Sequence, residues 1–143
     1  MRRVQRWRYY CEYCGKGGGS AYHMARHEKA CTANPHRECG LCREAELEQQ
    51  PMEDLVTALL CHDHDYDKGL VVLREAAQNC PSCILAAIRQ SKVQRPYMGE
   101  DDEGVHVNFD FKAEQAEFWN SINDAKLQDE YAFCGFGGAI YAE

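Results

Sequence analysis

The stretch CEYCGKGGGSAYHMARHEKAC, residues 11–31, carries cysteine and histidine at the spacing of metal ligands. Cys11 and Cys14 are separated by two residues, and His27 follows after twelve more. Cys31 lies three residues beyond the histidine. A tight turn can aim two thiolates at one point, and residues four apart on a helix share one face. Because Zn²⁺ takes four such sulfur and nitrogen ligands, the pattern predicts a tetrahedral zinc site.

His23 is a rival candidate for the helical ligand. With His23 and His27 the spacing becomes C-x2-C-x8-H-x3-H, which also closes a tetrahedron. Eight residues leave little room for a hairpin and a helix start, and this alternative leaves Cys31 without a role. The sequence therefore favours a first site made of Cys11, Cys14, His27 and Cys31.

Residues 9–31 resemble the C2H2/C2HC zinc-finger family. The family pattern has an aromatic residue two positions before the first cysteine, where Tyr9 lies, and an apolar residue three positions before the first helical ligand, where Met24 lies. Glycines at 17–19 replace the aromatic residue usually found between the cysteine pair and the helix, and Tyr22 is a candidate to fill that space. The resemblance implies a ββα fold around one zinc ion, with the glycines arguing against a regular hairpin.

The turn between two cysteines separated by two residues, as in Cys11 and Cys14, is called a knuckle. A second knuckle, Cys39-Gly40-Leu41-Cys42, follows the first site. Cys80 and Cys83 form a further C-x-x-C pair at a predicted helix start, where the helix dipole and free amides favour thiolate. We predict that these four cysteines hold a second zinc ion, with the residues between the pairs as a helical insertion. Cys61 and His64 are the alternative partners of the first pair, because their separation from it lies nearer the common range.

Charge is distributed unevenly along the chain. The formal net charge is −7, yet residues 1–43 hold nine Lys/Arg against three Asp/Glu, whereas residues 44–143 hold seven against twenty. Only the N-terminal part can attract a polyanion. In DNA-reading fingers, helix positions −1, 3 and 6 face the bases, and the finger resemblance assigns these positions to Ser20, His23 and Arg26.

The N-terminal arm, MRRVQRWRYY, interleaves cations with aromatic residues. A lone finger reads about three base pairs and binds weakly, so it usually needs help from an arm or a dimer. Trp7 or Tyr10 would stack on bases. Phosphate contacts are expected from the arm cations Arg2, Arg3, Arg6 and Arg8. We therefore predict nucleic-acid contact through residues 1–31.

Periodicity in the rest of the chain predicts a mostly α-helical fold. Leucines at helical spacing predict a helix over residues 44–60, and LVVLREAAQN and CPSCILAAIRQ predict two more. VHVNFDF predicts a short strand, and FKAEQAEFWNSIN an amphipathic helix. The predicted class is mostly α, a small α+β protein, in which a ββα-like finger precedes a helical zinc-stabilised domain.

Composition shifts along the chain predict three segments. Residues 1–33 form the basic arm and finger, and residues 34–95 form the helical domain with the second zinc site. Residues 96–143 comprise an acidic linker, the amphipathic helix and a Gly-rich tail.

Several classes of function are disfavoured. Both predicted zinc sites are closed by four protein ligands, and CPSC lacks the upstream H-x-E that a deaminase requires, so we predict that the protein is not an enzyme. The C-x-x-C pairs, the odd total of nine cysteines and the lack of an apolar leader predict a reducing, cytoplasmic compartment. No apolar run reaches the length of a membrane span, so no membrane partner is expected.

The segments RWRYYCEYC, NPHRECGLC and NCPSCILAAIRQ together look like small zinc-finger proteins of bacteriophage genomes. This resemblance implies an alternative function, that of a structural or adaptor protein in a virion or its assembly, located in the host cytoplasm or the virion. Such a protein would make protein–protein contacts through residues 110–143. The first interpretation remains a zinc-stabilised binding protein that contacts nucleic acid.

Overall fold

A computed structural model describes residues 1, 5–62, 65–92 and 109–134, with side chains in the last segment up to residue 129. Within these residues the chain is mostly helical and has one small antiparallel sheet near its N-terminus, which confirms the predicted fold class. Predictions for Arg2, Arg3 and His64 lie outside the described residues. So do those for the acidic linker, the Gly-rich tail and most of the VHVNFDF strand.

Strand β1 covers Tyr9–Tyr10 and pairs antiparallel with β2, which covers Gly17–Gly18. The helices are α1 (Ala21–Ala30), α2 (Gly40–Glu44), α3 (Met52–Leu60), α4 (Tyr66–Ala76), α5 (Pro81–Gln90) and α6 (Phe111–Cys134). No helix within the described ranges is long and apolar enough to cross a membrane.

The finger module, β1 to α1, forms its hairpin because glycine leaves room for close packing. A Cβ atom on Gly17 would lie 2.9 Å from the ring of Tyr10, and one on Gly18 would lie 3.1 Å from Cε of Met24. Met24 is buried, whereas Tyr22 points to solvent, so the suggested filling of the aromatic position by Tyr22 is wrong. The glycines therefore permit the hairpin, contrary to the expectation that they would disrupt it.

The helix predicted over residues 44–60 is interrupted. Residues 45–51 separate α2 from α3, and Glu46 adopts a positive φ of 58° where α2 has ended. Gln49 folds back over the knuckle, since its Oε1 accepts from the Cys39 amide at 2.6 Å and its Nε2 donates to the Arg37 carbonyl at 2.8 Å. Helical propensity in this stretch is overridden by the hydrogen bonds that close the turn around the cysteines.

The main core lies between α3, α4 and α5, and one face of α6 covers it. Leu55, Leu70 and Ile84 are fully buried, and each such side chain contributes about 1.5–3 kcal/mol by leaving water. Helices α3 and α4 approach closely at Gly69, where a Cβ atom would lie 2.3 Å from the Leu59 carbonyl oxygen. The four cysteines of the second cluster belong to this same core.

The C-terminal end of α5 holds the segment that joins the finger to the helical part. Arg89 donates from Nη1 to Thr32 Oγ1 at 2.8 Å. Gln90 donates from Nε2 to the carbonyls of Thr32 and Asn34 at 2.8 and 3.0 Å. These bonds fix the chain between the two cysteine clusters. The predicted segment boundaries at residues 33/34 and 95/96 stay predictions.

Candidate metal centres

The first cluster brings together the four ligands predicted for the finger. The ligand atoms of Cys11, Cys14, His27 and Cys31 all lie within 4.8 Å of one another. Cys14 Sγ and His27 Nε2 are 3.2 Å apart. With Zn–S near 2.3 Å and Zn–N near 2.0 Å, a tetrahedral site has ligand–ligand edges of about 3.5–3.8 Å. The four side chains therefore converge closely enough to share one ion.

Local backbone structure explains this convergence. Gly15 adopts a φ of 72° and donates to the Cys11 carbonyl at 2.9 Å, which closes the knuckle turn. The Glu12 amide donates to the Glu28 carboxylate at 3.0 Å, tying the knuckle to α1. His27 lies in the last turn of α1, and Cys31 is its C-cap. The helix thus presents both of its ligands to the two thiols of the turn.

The four ligands of the first cluster differ in their exposure to solvent. Cys11 and Cys31 are buried, His27 is half-buried, and Cys14 is exposed. Hydrogen bonding to His27, and then to the Lys16 backbone, lowers the pKa of Cys14 to about 6, whereas burial raises the pKa of Cys31. Of these two thiols, Cys14 therefore supplies a thiolate to an incoming cation more readily than Cys31.

Alkylation can test whether the first cluster holds a metal ion through Cys14. Because Cys14 is exposed, iodoacetamide should modify it slowly while zinc is bound and quickly after a chelator removes the zinc, when its sulfur is free to react. Zinc should protect Cys14 but not Cys61, which is exposed and belongs to neither cluster. Peptide mass spectrometry would measure both rates. Equal rates for Cys14 with and without zinc would contradict a metal site at the first cluster.

The second cluster joins two knuckles from distant parts of the chain. Cys39, Cys42, Cys80 and Cys83 are all buried, and their sulfur atoms lie within 4.8 Å of one another. The Cys39–Cys80 and Cys42–Cys83 sulfur distances are both 3.6 Å. These values are close to the edge of a zinc–tetrathiolate tetrahedron, about 3.8 Å for Zn–S bonds near 2.3 Å.

Each knuckle lies at the N-terminus of a helix. Cys39 is the N-cap of α2 and its sulfur accepts from the Cys42 amide at 3.5 Å, while Cys80 is the N-cap of α5 with Pro81 in the first turn. The alternative partner Cys61 is exposed, and its thiol donates to the Ala58 carbonyl at 2.9 Å. The structure therefore pairs the first knuckle with the one at the start of α5.

The pKa shifts of the four thiols in the second cluster indicate that a cation is needed to hold all four as thiolates. Hydrogen bonds from Cys42, Cys80 and Cys83 lower the pKa of Cys39 far below its ordinary value. The same bonding to Cys39 raises the pKa of Cys42 and of Cys83. The pKa of Cys80 is also lowered, since its bond to Cys39 raises it but its bonds to Cys42 and Cys83 outweigh that effect. Two thiols therefore ionise easily and the other two resist, because neighbouring negative charges would be buried together. A divalent cation removes this obstacle, so the donor set fits Zn²⁺.

Arg37 is a buried cation beside the second cluster, and sequence reasoning missed it. Its side chain is 5% exposed, with Nη1 3.2 Å from the Ser82 carbonyl and 3.8 Å from Cys83 Sγ. Nη2 donates to Ser82 Oγ at 2.7 Å, and Nε donates to the Ala30 carbonyl at 3.4 Å. Four thiolates around Zn²⁺ carry a net charge of −2 by formal count, and the guanidinium offsets part of it.

The residues predicted to face nucleic acid lie outside both clusters. Ser20 is the N-cap of α1 and accepts from the His23 amide at 3.4 Å. His23 and Arg26 are exposed and line a cleft of about 590 Å³, whose far side includes Arg43 of α2. The arm residues that are described, Arg6 and Arg8, are also exposed. The competing ligand His23 is thus part of the cleft, and His27 completes the metal cluster.

Both predicted zinc sites are confirmed as geometry, since each is a group of four ligands at metal-binding distance. Comparison with known proteins assigns no family to them. The likeness of residues 9–31 to C2H2/C2HC fingers therefore depends on ligand spacing and on the hairpin–helix arrangement. No family model, curated protein or solved structure matches this chain.

Proposed function

We propose that the chain is a non-enzymatic, zinc-stabilised binding protein that contacts nucleic acid through its basic arm and finger. The observation that carries the proposal is the concentration of exposed cations on the module that the first cluster organises. Residues 1–31 contain seven Lys/Arg and two Asp/Glu. Arg6, Arg8 and Arg26 are exposed there, and one of the two carboxylates, Glu28, is engaged by the knuckle.

Zinc supplies the rigidity that the finger module lacks. Its buried apolar cluster consists only of Cys11, Met24 and Cys31, with Ala33 packed against it. So few buried side chains cannot offset the backbone entropy of ordering the module, about 1–2 kcal/mol per residue. Metal coordination fills this gap, as in small zinc modules that fold only when loaded.

Both clusters have the character of structural sites. A catalytic zinc keeps one position for water or substrate, whereas each cluster offers four protein ligands. All four ligands of the second cluster are buried and belong to the main core. These features support a role in holding shape, so the function lies on the surface that the metal organises.

The acidic part of the chain restricts where a polyanion can bind. Residues 44–143 hold twenty Asp/Glu against seven Lys/Arg, so this part repels phosphate. Its helix α6 uses its aromatic residues within the fold, since Phe118 is 2% exposed and Trp119 packs against the core. The support for a partner thus concentrates on the finger rather than on the aromatic residues of α6.

Reversing two arm charges tests the proposal. The variant Arg6→Glu/Arg8→Glu is expected to weaken binding to mixed-sequence nucleic acid and to reduce the slope of log K against log salt by about 1 for each phosphate that the arm no longer neutralises. Fluorescence anisotropy with labelled oligonucleotides between low and physiological salt would measure both quantities. The zinc content of the variant should stay at two ions per chain, because both arginines lie outside the clusters.

The matched control is Lys112→Glu/Lys126→Glu. It makes the same change in net charge on exposed residues of α6, away from the finger. Binding that falls equally in both variants would indicate a general charge effect. Absence of binding by the zinc-loaded parent would remove the proposal and leave the structural or adaptor function as the remaining candidate.

A further inference from the structure

Exposed aromatic side chains are confined to the finger and its arm within the described part of the chain. Trp7 is 86% exposed, and Tyr9, Tyr10, Tyr13 and Tyr22 are also exposed. Elsewhere among the side chains that the structure describes, which end at residue 129, the aromatic residues are half-buried or buried, and these are Tyr66, Phe109, Phe111, Phe118 and Trp119. The chain thus buries aromatic residues where it has a core and displays them where it is basic. Exposed Tyr and Trp side chains are enriched at binding surfaces.

Cations alternate with these rings. Arg6 and Arg8 flank Trp7 directly, and both are exposed. Tyr10 is positioned by the backbone, because its ring lies against Gly17 in the paired strand. Such a surface can contact phosphates with guanidinium groups while its rings stack on unpaired bases, as sequence-tolerant binders of single strands do.

The α1 surface is poorly placed for a duplex. His23 and Arg26, which a DNA-reading finger would insert into the major groove, line a cleft together with Arg43 and Glu44 of α2. Two carboxylates, Glu38 and Glu44, line the same cleft and disfavour the close approach of duplex phosphates to this face of α1.

We propose that the ligand of the finger and arm is a single-stranded nucleic acid, bound by base stacking on the exposed aromatic residues and by phosphate contacts to the interleaved arginines. This inference rests on the proposed function and narrows it. The shared chemistry is an unpaired base next to a phosphodiester, which single-stranded RNA and single-stranded DNA both offer.

Anisotropy titrations of the zinc-loaded full chain would use one mixed sequence in three forms: single-stranded RNA, single-stranded DNA and the DNA duplex. Both single strands are expected to bind more tightly than the duplex at equal salt. Trp7→Ala should weaken single-strand binding by about 5- to 150-fold, the range for one stacked base, while Trp7→Phe keeps most of it. Tyr10→Ala is a second test, with zinc content measured because its ring also packs on Gly17.

Leu127→Ala is the control, since it removes an exposed apolar side chain of α6. Weaker single-strand binding by Trp7→Ala, with duplex binding and the salt slope unchanged, supports the inference. Duplex binding as tight as single-strand binding, or unchanged single-strand affinity in both Trp7→Ala and Tyr10→Ala, overturns the inference but leaves the proposed function intact. Failure of all three nucleic acids to bind removes the proposed function itself. A difference in affinity between single-stranded RNA and single-stranded DNA shows which of the two strands the protein prefers.

Discussion

Cys83→Ser is expected to abolish the second zinc site and the cooperative unfolding of the helical core. The cysteine is buried within the cluster of α3, α4 and α5, so its replacement opens the metal site and leaves three thiols packed together without their cation. Structural zinc contributes about 10–16 kcal/mol to folding in small modules, which is comparable with the whole stability of a domain, about 5–15 kcal/mol. Zinc content should fall from two ions per chain to one, and the thermal transition should broaden or disappear.

The same substitution at Cys61 provides the control. Cys61 is exposed and outside both clusters, so Cys61→Ser should keep two zinc ions and the parent transition. Elemental analysis and circular dichroism melting measure the two properties on the same samples. A Cys83→Ser protein that retains two zinc ions would show that the four-cysteine cluster is not a metal site.

Arg37→Met is expected to destabilise the protein by about 3 kcal/mol, the usual cost of removing one partner from a buried ionic or charge-assisted contact. The variant leaves the Ser82 carbonyl and hydroxyl and the Ala30 carbonyl without their guanidinium donor. It also removes the positive charge beside Cys83. Zinc affinity at the second cluster should therefore fall by about 10- to 100-fold, as found for residues that support metal ligands.

Denaturant unfolding and competition with a chelator would separate these two effects. Arg43→Met is the matched control, because Arg43 is exposed although it directly follows Cys42. Arg37→Lys keeps the charge but cannot form the same forked hydrogen bonds, so it should retain more zinc affinity than Arg37→Met. If Arg37→Met unfolds and binds zinc like the parent, the guanidinium has no role at the cluster.

Ligand spacing made the first cluster predictable, because coordination depends on a few residues at short, fixed separations. For the second cluster, spacing favoured Cys61 and His64, and the correct pair, Cys80 and Cys83, was preferred because it lies at a helix start. The finger register follows equally from spacing, as the position of Met24 in the buried cluster shows.

Pro51 suits the start of a helix, and α3 does begin beside it, but the turn over the preceding residues was not predictable, since it arises from Gln49 bonding to Cys39 and Arg37 in the folded chain. Local propensity favours a helix there, and tertiary hydrogen bonds override it.

The burial of Arg37 escaped prediction for a related reason. It lies in a basic, turn-rich stretch where an arginine is ordinarily solvated, and only the meeting of α1 with α5 creates its acceptors. The exposure of the finger aromatics likewise follows from how little core the finger has. Sequence patterns therefore predicted the metal ligands, while the groups that support them depend on contacts between distant segments.

The hydrogen bonds from Arg89 and Gln90 to residues 32 and 34 also determine how the molecule moves in an electric field. Because they hold the cationic finger against the anionic helical part, the separated charges form a lasting dipole instead of averaging out through tumbling of one module relative to the other. If the partner is a polyanion, as proposed, this dipole turns the finger toward it before contact.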